Sequence, residues 1–271
     1  MNIVILSGKG GTGKTLVGTN LASLLNINYI DADVEEPNGF IFLKPLIKTK
    51  EKVKIDVPII NQDQCNLCLK CLEFCQFNVF AKTKNKILIF EELCHSCGGC
   101  KMVCPTKALD YRKKTIGFIE KGVKDNFKCY QGILKVGEVI AVPLIKELLK
   151  DLPKELNIID ASPGTSCNAG TTLEFADKVI LVTEPTKLAL HDLKRIVQIV
   201  KERKIPLGII INKVLEEDNL IKDYCKKNNL LILGSIKYKE EIAYLYSEGK
   251  LLEKEEFKEI ILNMKEYLLC K

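Results

Sequence analysis

Two sets of residues in this chain have types and spacings that could do chemistry. The first is Gly8-Lys9-Gly10-Gly11-Thr12-Gly13-Lys14-Thr15, which fits the pattern G-x-x-x-x-G-K-[ST]. Gly8, Gly10, Gly11 and Gly13 let successive backbone N–H groups turn inward around a phosphate without Cβ clashes. Lys14 supplies a point charge for the β- and γ-phosphates, and the Thr15 hydroxyl is placed to ligate Mg²⁺. The second set is cysteine. Cys65, Cys68, Cys71 and Cys75 form C-x₂-C-x₂-C-x₃-C, and Cys94, Cys97, Cys100 and Cys104 repeat it. Three close thiolates with a fourth set apart suit a 4Fe-4S cubane, because one loop can wrap three corners while its amides face the sulfides. Structural zinc prefers paired C-x₂-C knuckles to a three-plus-one run.

These residues need elements to hold them. The apolar run 2–6 reads as a buried strand and 16–25 as a helix, so the glycine-rich loop stands between strand and helix N-terminus, where a phosphate binds. A second strand, 29–32, leads into Asp33 at its carboxyl end, the place where open α/β sheets put ligand-contacting groups; Asp31 reads as structural. Short strands at 157–159, 178–182 and 207–211 lead into Asp160, the segment TEPT and Asn212. Further strand candidates are 52–57, 116–120 and 127–134, and 138–150 has helical apolar spacing. The expected architecture is α/β: a doubly wound, mostly parallel P-loop sheet from residues 1–57 and 116–271, with an inserted α+β module at 58–115.

Composition narrows the function. Twelve cysteines in a chain whose N-terminus goes straight into a strand, with no export signal, argue for metal or redox chemistry rather than a disulfide framework. No stretch is apolar for long enough to span a bilayer, so the expectation is a soluble, cytoplasmic protein. The formal charge of +6 falls to about +2 if two clusters each bring about −2, too weak a basic balance to argue for nucleic acid. Near the C-terminus Phe257, Ile260, Ile261, Met264, Tyr267 and Leu268 recur at helical spacing. The opposite face mixes Glu with Lys, which fits a helix packed on the sheet better than a basic membrane anchor.

The second lysine of KGGTGKT, directly after the first glycine, resembles the deviant Walker A motif of the MinD, ParA, Mrp and nitrogenase iron protein group. The resemblance implies a homodimer with two nucleotides at its interface. Lys9 would reach the partner's nucleotide and neutralise charge on the transferred phosphoryl group, as an arginine finger does. By position, it also implies that Asp33 contacts Mg²⁺ and orients the attacking water. Asp160, in DASPGTSC, would hold Mg²⁺ through water, the Gly164 amide would meet the γ-phosphate, and Asn212 would read adenine. VTEPTKLALHDLKR resembles the matching stretch of Mrp-like and MinD-like ATPases. Cys167 stands at the offset where the nitrogenase iron protein ligates a cluster shared between subunits. That family's second ligand position holds Gly132 here, with Cys129 nearest; small buried thiols are the alternative for both cysteines.

The two cysteine runs resemble a bacterial dicluster ferredoxin over about 55 residues, with Cys104-Pro105 matching its usual ending and Gln76 standing where proline is usual. That resemblance implies crossed ligand sets: Cys65, Cys68, Cys71 and Cys104 for cluster one, and Cys94, Cys97, Cys100 and Cys75 for cluster two. Gly98 and Gly99 would permit close approach of backbone to cluster. His95 and His191 read as surface residues, and Cys225 and Cys270 have no metal spacing. Over the whole chain the sequence is similar to MinD-superfamily ATPases carrying an inserted ferredoxin domain. The expected cofactors are ATP or ADP, Mg²⁺ and two 4Fe-4S clusters. The expected activity is ATP hydrolysis that gates electron transfer to a redox partner. An Mrp-like cluster carrier or scaffold, delivering to an apo-protein, is the alternative.

Overall fold

The apolar run before the glycine-rich loop becomes the middle of a nine-stranded sheet. A computed structural model describes residues 1–215 and 219–269; Cys270 lies outside them. β1 (Asn2–Leu6) runs through the loop into α1 (Lys14–Leu25), and β2 (Asn28–Ala32) is followed by the short α2 (Gly39–Leu43). β3 (Leu46–Ile60) then leads into a small unit of α3 (Lys70–Phe74), the hairpin β4 (Phe80–Lys82) and β5 (Ile87–Ile89), and α4 (Gly99–Met102). β6 (Leu109–Lys124) returns from it to β7 (Phe127–Leu134) and α5 (Val142–Lys150). The rest alternates strand and helix: β8 (Asn157–Ala161), α6 (Cys167–Leu173), β9 (Lys178–Thr183), α7 (Lys187–Glu202), β10 (Leu207–Val214) and α8 (Leu220–Lys227). β11 (Leu231–Lys237), α9 (Glu240–Ser247) and α10 (Lys258–Leu269) complete it.

The sheet order is β11-β10-β9-β1-β8-β2-β7-β6-β3. All pairings from β11 to β7 are parallel, and β7–β6 and β6–β3 are antiparallel. Side chains alternate across a strand, so β1 sends Val4 and Leu6 to one face and Ile3 and Ile5 to the other. On the first face they meet Leu144 and Leu148 of α5, Leu173 of α6 and Leu193 and Val197 of α7. On the second they meet Val17 and Leu21 of α1 and Ile260, Ile261, Met264 and Tyr267 of α10. Burial on both faces is why the parallel strands read as uninterrupted apolar runs. Among the described residues no helix is long and apolar enough to cross a membrane.

β3 and β6 are far longer than the expected 52–57 and 116–120, pairing from Leu46 with Val123 to Ile60 with Leu109. The first half of β3 is exposed and lysine-rich, and β6 mixes buried, half-buried and charged positions, so hydrophobic alternation is silent there. The backbone ladder holds them, with cross-strand pairs Lys50–Glu120, Lys121–Glu51 and Lys113–Asp56 at 2.8, 3.0 and 3.0 Å adding little each. One paired ribbon therefore runs through both expected boundaries and joins the sheet to the small unit. α5 starts at Val142 instead of Glu138 because Pro143 suits a first helical turn, where its missing N–H costs nothing.

Candidate nucleotide site and cysteine-lined pockets

The phosphate loop is shaped by backbone that only glycine adopts cheaply. Gly11 and Gly13 have φ of +79° and +93°, and a Cβ on Gly13 would lie 2.1 Å from Asn212 Nδ2. Asn212 donates from that nitrogen to the Thr12 carbonyl at 2.8 Å, so the residue expected to read adenine also props the loop. Gly8 has a different reason: a Cβ there would meet Asp192 Cβ of α7 at 2.4 Å. A cavity of about 340 Å³ opens beside the loop, lined by Gly10, Lys14, Thr15 and Asp33 and by Asn212, Tyr238, Lys239 and Tyr246.

β1, β8 and β2 lie side by side, and this adjacency brings the expected residues together. Lys14 Nζ donates to Asp160 Oδ1 at 2.5 Å and lies 3.7 Å from Asp33 Oδ2. Thr15 Oγ1 donates to Asp160 Oδ2 at 2.7 Å, and the Tyr29 hydroxyl donates to the same oxygen at 3.0 Å. Asp31 faces Asp160 across the β2–β8 register and accepts from the amides of Gly39 and Asp33 at 2.8 and 3.2 Å. Burial first, and then the neighbouring Asp160, push the Asp31 carboxyl up to about 8. Burial likewise raises Asp33, against the pull of Lys14. Burial works to lower Lys14, but the charges of Asp160 and Asp33 outweigh it and raise its pKa.

With Asp31 holding its proton, Asp33 and Asp160 around the Lys14 ammonium still leave an excess of negative charge and hard oxygen donors, which fits Mg²⁺. Two buried hydroxyls, Thr12 Oγ1 and Ser162 Oγ, make no hydrogen bond of normal geometry among the described residues. Both are within reach of the chemistry by position, one in the loop and one just beyond Asp160. The Gly164 amide, expected to meet a γ-phosphate, instead donates to the Ser7 carbonyl at 2.8 Å. Lys9 points to its own subunit, 2.6 Å from Glu184 Oε1. Sequence reasoning missed Glu184 and Tyr29; the only signal for Glu184 was its place at a strand end, in TEPT.

In the small unit, one pocket is lined by Cys65, Cys68, Cys71 and Cys104, and a second by Cys75, Cys94, Cys97 and Cys100. The fourth cysteine of each run thus lies with the first three of the other. The two loops share a backbone design, with left-handed residues at matching places: Leu67 and Leu69 in one, Ser96 and Gly98 in the other. Such reversals turn amides inward and make concavities for anions, a form common to phosphate and iron-sulfur sites. Among the described residues no three Cys, His, Asp or Glu side chains converge to hold a single metal ion. A zinc ion needs every thiolate about 2.3 Å from one point, whereas a cubane takes them at separate corners. Four thiols drawn three from one run and one from the other suit the corners of a cubane. Burial raises the thiol pKa of Cys71, Cys94 and Cys100, so ligation there would release protons.

The second pocket is tied to the long ribbon. The Asp56 amide on β3 donates to Ser96 Oγ at 3.1 Å, and the Tyr111 hydroxyl on β6 donates to the Gly98 carbonyl at 2.6 Å, 3.4 Å from Cys100 Sγ. His95 is exposed, as expected, and also stacks on Phe77 with ring centroids 3.7 Å apart and lines this pocket. Gly99 is explained by packing instead of cluster approach, since its Cβ would lie 2.1 Å from the Phe74 ring. Gly98 needs its left-handed φ of +79°.

Cys129 and Cys167 are not brought together. Cys129 is fully buried in the core on the α1 face, its thiol pushed up to about 12 chiefly by burial. Cys167, expected as a bridging ligand or a buried thiol, is exposed at the first residue of α6 on the other face. His191 is exposed, 3.4 Å from Asp192 Oδ1, and Cys225 is buried in the core.

Residues 3–252 match the profile of the CobQ/CobB/MinD/ParA nucleotide binding domain. An uncharacterized protein of Methanocaldococcus jannaschii, MJ0579, is 32% identical over 266 residues, covering 90% of this chain and 96% of that protein. The iron-sulfur cluster carrier protein of Pyrococcus horikoshii is 26% identical over 225 residues, 78% of this chain and 61% of that protein. Of solved structures, the septum site-determining protein MinD of Pyrococcus horikoshii, complexed with Mg-ADP, aligns with a TM-score of 0.55 at 19% identity. That alignment covers 92% of this chain and 86% of the MinD chain. With 3–252 matched, this chain belongs to the CobQ/CobB/MinD/ParA nucleotide-binding family.

Proposed function

We propose that this protein is an iron-sulfur ATPase in which ATP binding and hydrolysis by a homodimer gate electron transfer through two 4Fe-4S clusters to a partner protein. The observation that carries the reading is the pair of pockets, each lined by a complete set of four cysteines in the crossed arrangement. When bound, the clusters would supply one-electron carriers. The chain's own residues do the rest. Lys14 leaves Asp160 for the incoming phosphates, which frees Asp160 and Thr15 for Mg²⁺ and leaves Asp33 to orient the attacking water. Asn212 turns from the Thr12 carbonyl to the adenine edge, and Gly164 releases Ser7 to meet the γ-phosphate. Lys9 crosses to the nucleotide of a second copy. The bound Mg-ADP of the Pyrococcus horikoshii MinD supports the same ligand here.

Coupling to the clusters has a continuous physical route. The residue after Asp33, Val34, is fully buried and accepts from the Leu134 amide at the end of β7 at 2.8 Å. β7 pairs with β6, which carries Tyr111 to the second pocket. Movement of the Asp33 loop therefore bears directly on the strand that holds the Cys100 loop.

A second reading, a carrier whose clusters are cargo, is favoured by the similarity to the Pyrococcus horikoshii carrier protein. Four thiols per cluster favour retention over delivery, since release requires breaking every one. The test is anaerobic and uses the loaded protein with ATP. If it passes electrons to a redox dye while its iron stays bound, electron transfer stands. If iron moves to an apo-protein acceptor in an ATP-dependent way, the carrier reading replaces it.

A further inference from the structure

We propose that Glu184 is a positioning residue that holds Lys9 against its own subunit, so that dimer closure on nucleotide requires Lys9 to exchange this carboxylate for the partner's site. The inference rests on the reading that Lys9 acts on the nucleotide of a second copy.

The geometry is that of a shared anion. Lys9 Nζ lies 2.6 Å from Glu184 Oε1, and Lys213 Nζ lies 3.2 Å from Oε2 of the same carboxylate. The Glu184 side chain is 12% exposed and that of Lys9 32%, so the anion is fixed and the cation can leave. Glu184 directly follows β9, a neighbour of β1 in the centre of the sheet, whereas Lys9 stands on the loop. Burial acts to raise the Glu184 carboxyl, yet its hydrogen bonds from Lys9 and Lys213 hold it below the usual carboxylate range. Charge-assisted bonds of this kind are about twice as strong as neutral ones.

The second cation makes Lys9 releasable. When Lys9 departs, Lys213 remains on Glu184, and no buried carboxylate is left without a counter-charge. Lys213 also donates to the Gly11 carbonyl at 2.7 Å, while its neighbour Asn212 holds the Thr12 carbonyl. Nucleotide entering the loop thus acts on the same residues that share Glu184, which links occupancy of one subunit to release of its Lys9.

The experiment measures dimerisation against protein concentration by analytical ultracentrifugation with a non-hydrolysable ATP analogue. Glu184→Gln keeps an acceptor for Lys213 and removes the charge that retains Lys9. The expected result is a dimer formed at about tenfold lower protein concentration, with analogue affinity of the monomer changed less than about threefold. A structural lesion weakens assembly, so the gain is the informative sign. Unchanged or weaker assembly overturns the proposal. If circular dichroism shows that E184Q does not fold, Lys213→Met decides: it leaves Glu184 to Lys9 alone and should weaken assembly severalfold, and unchanged or tighter assembly overturns the proposal. Lys9→Ala separates the two levels of the argument. Normal nucleotide-dependent dimerisation of K9A defeats the underlying reading, whereas a defective K9A beside an E184Q that assembles like the native protein defeats the Glu184 proposal alone.

Discussion

Asp31→Asn should stabilise the nucleotide-free protein at pH 8 and only about a quarter as much at pH 5. Asp31 is fully buried opposite Asp160, and Lys14 is the only cation near the pair among its described electrostatic neighbours. Its carboxyl rises from 3.8 to about 8, with burial the first cause. The unfolded chain therefore loses this proton near pH 4 while the folded chain keeps it to about pH 8. Across that window the folded state binds more protons than the unfolded one, so stability falls as pH rises. At about 1.4 kcal/mol per pKa unit the interval sets a ceiling near 5–6 kcal/mol. Sharing of the charge with Asp160 and Lys14 brings the expected loss to about 2–3 kcal/mol. An asparagine at this position would keep an acceptor for the Gly39 amide, which Asp31 now accepts at 2.8 Å, and would carry no charge. The assay is anaerobic urea unfolding at pH 5 and pH 8, read as a change in midpoint at constant slope. A variant destabilised equally at both pH values, or one as pH-dependent as the native protein, would refute the reasoning.

Other perturbations follow from the same contacts. Lys14→Ala should abolish nucleotide binding and also lower stability by about 3–5 kcal/mol, because Asp160 is left buried without its cation. Adding Asp160→Asn should recover most of the stability and none of the binding, measured by urea unfolding and by titration with a fluorescent nucleotide. Cys104→Ser should remove the cluster signal assigned to Cys65, Cys68 and Cys71 and about half the iron, and Cys75→Ser should remove the other; loss of the opposite cluster in either variant contradicts the crossed sets. Tyr111→Phe removes the hydroxyl that donates to the Gly98 carbonyl at 2.6 Å and lies 3.4 Å from Cys100 Sγ, and should shift the reduction potential of the second-pocket cluster alone, followed by EPR-monitored titration.

Much of the site was legible because its chemistry fixes residue types at short spacing. The loop from Gly8 to Thr15 and the two cysteine runs are local patterns, Asp33 stands directly after the short β2, and Asp160 follows an apolar run near the end of β8. The mostly parallel sheet followed from those same runs, which are buried on both faces. What escaped was set by tertiary packing. The first half of β3 is exposed and lysine-rich, and in β6 buried, half-buried and charged positions mix without alternation, so nothing in their periodicity announced a ribbon of such length. Glu184 and Tyr29 act on residues far away in the chain and Tyr111 on a neighbouring loop, and a lone Glu or Tyr carries no spacing signal. Gly8 and Gly99 show the converse: their glycine identity was legible, yet its reason is close approach of Asp192 and Phe74.

The central claim is that nucleotide state controls the clusters, and one measurement reaches it directly. The reduced protein is divided anaerobically between ADP and a non-hydrolysable ATP analogue, and each sample is followed by EPR and by its rate of reoxidation with a redox dye. The account predicts that the analogue changes the reoxidation rate and the EPR signal, and that the Asp33→Ala variant loses this response. Identical spectra and rates with both nucleotides, in protein shown to bind them, would contradict it.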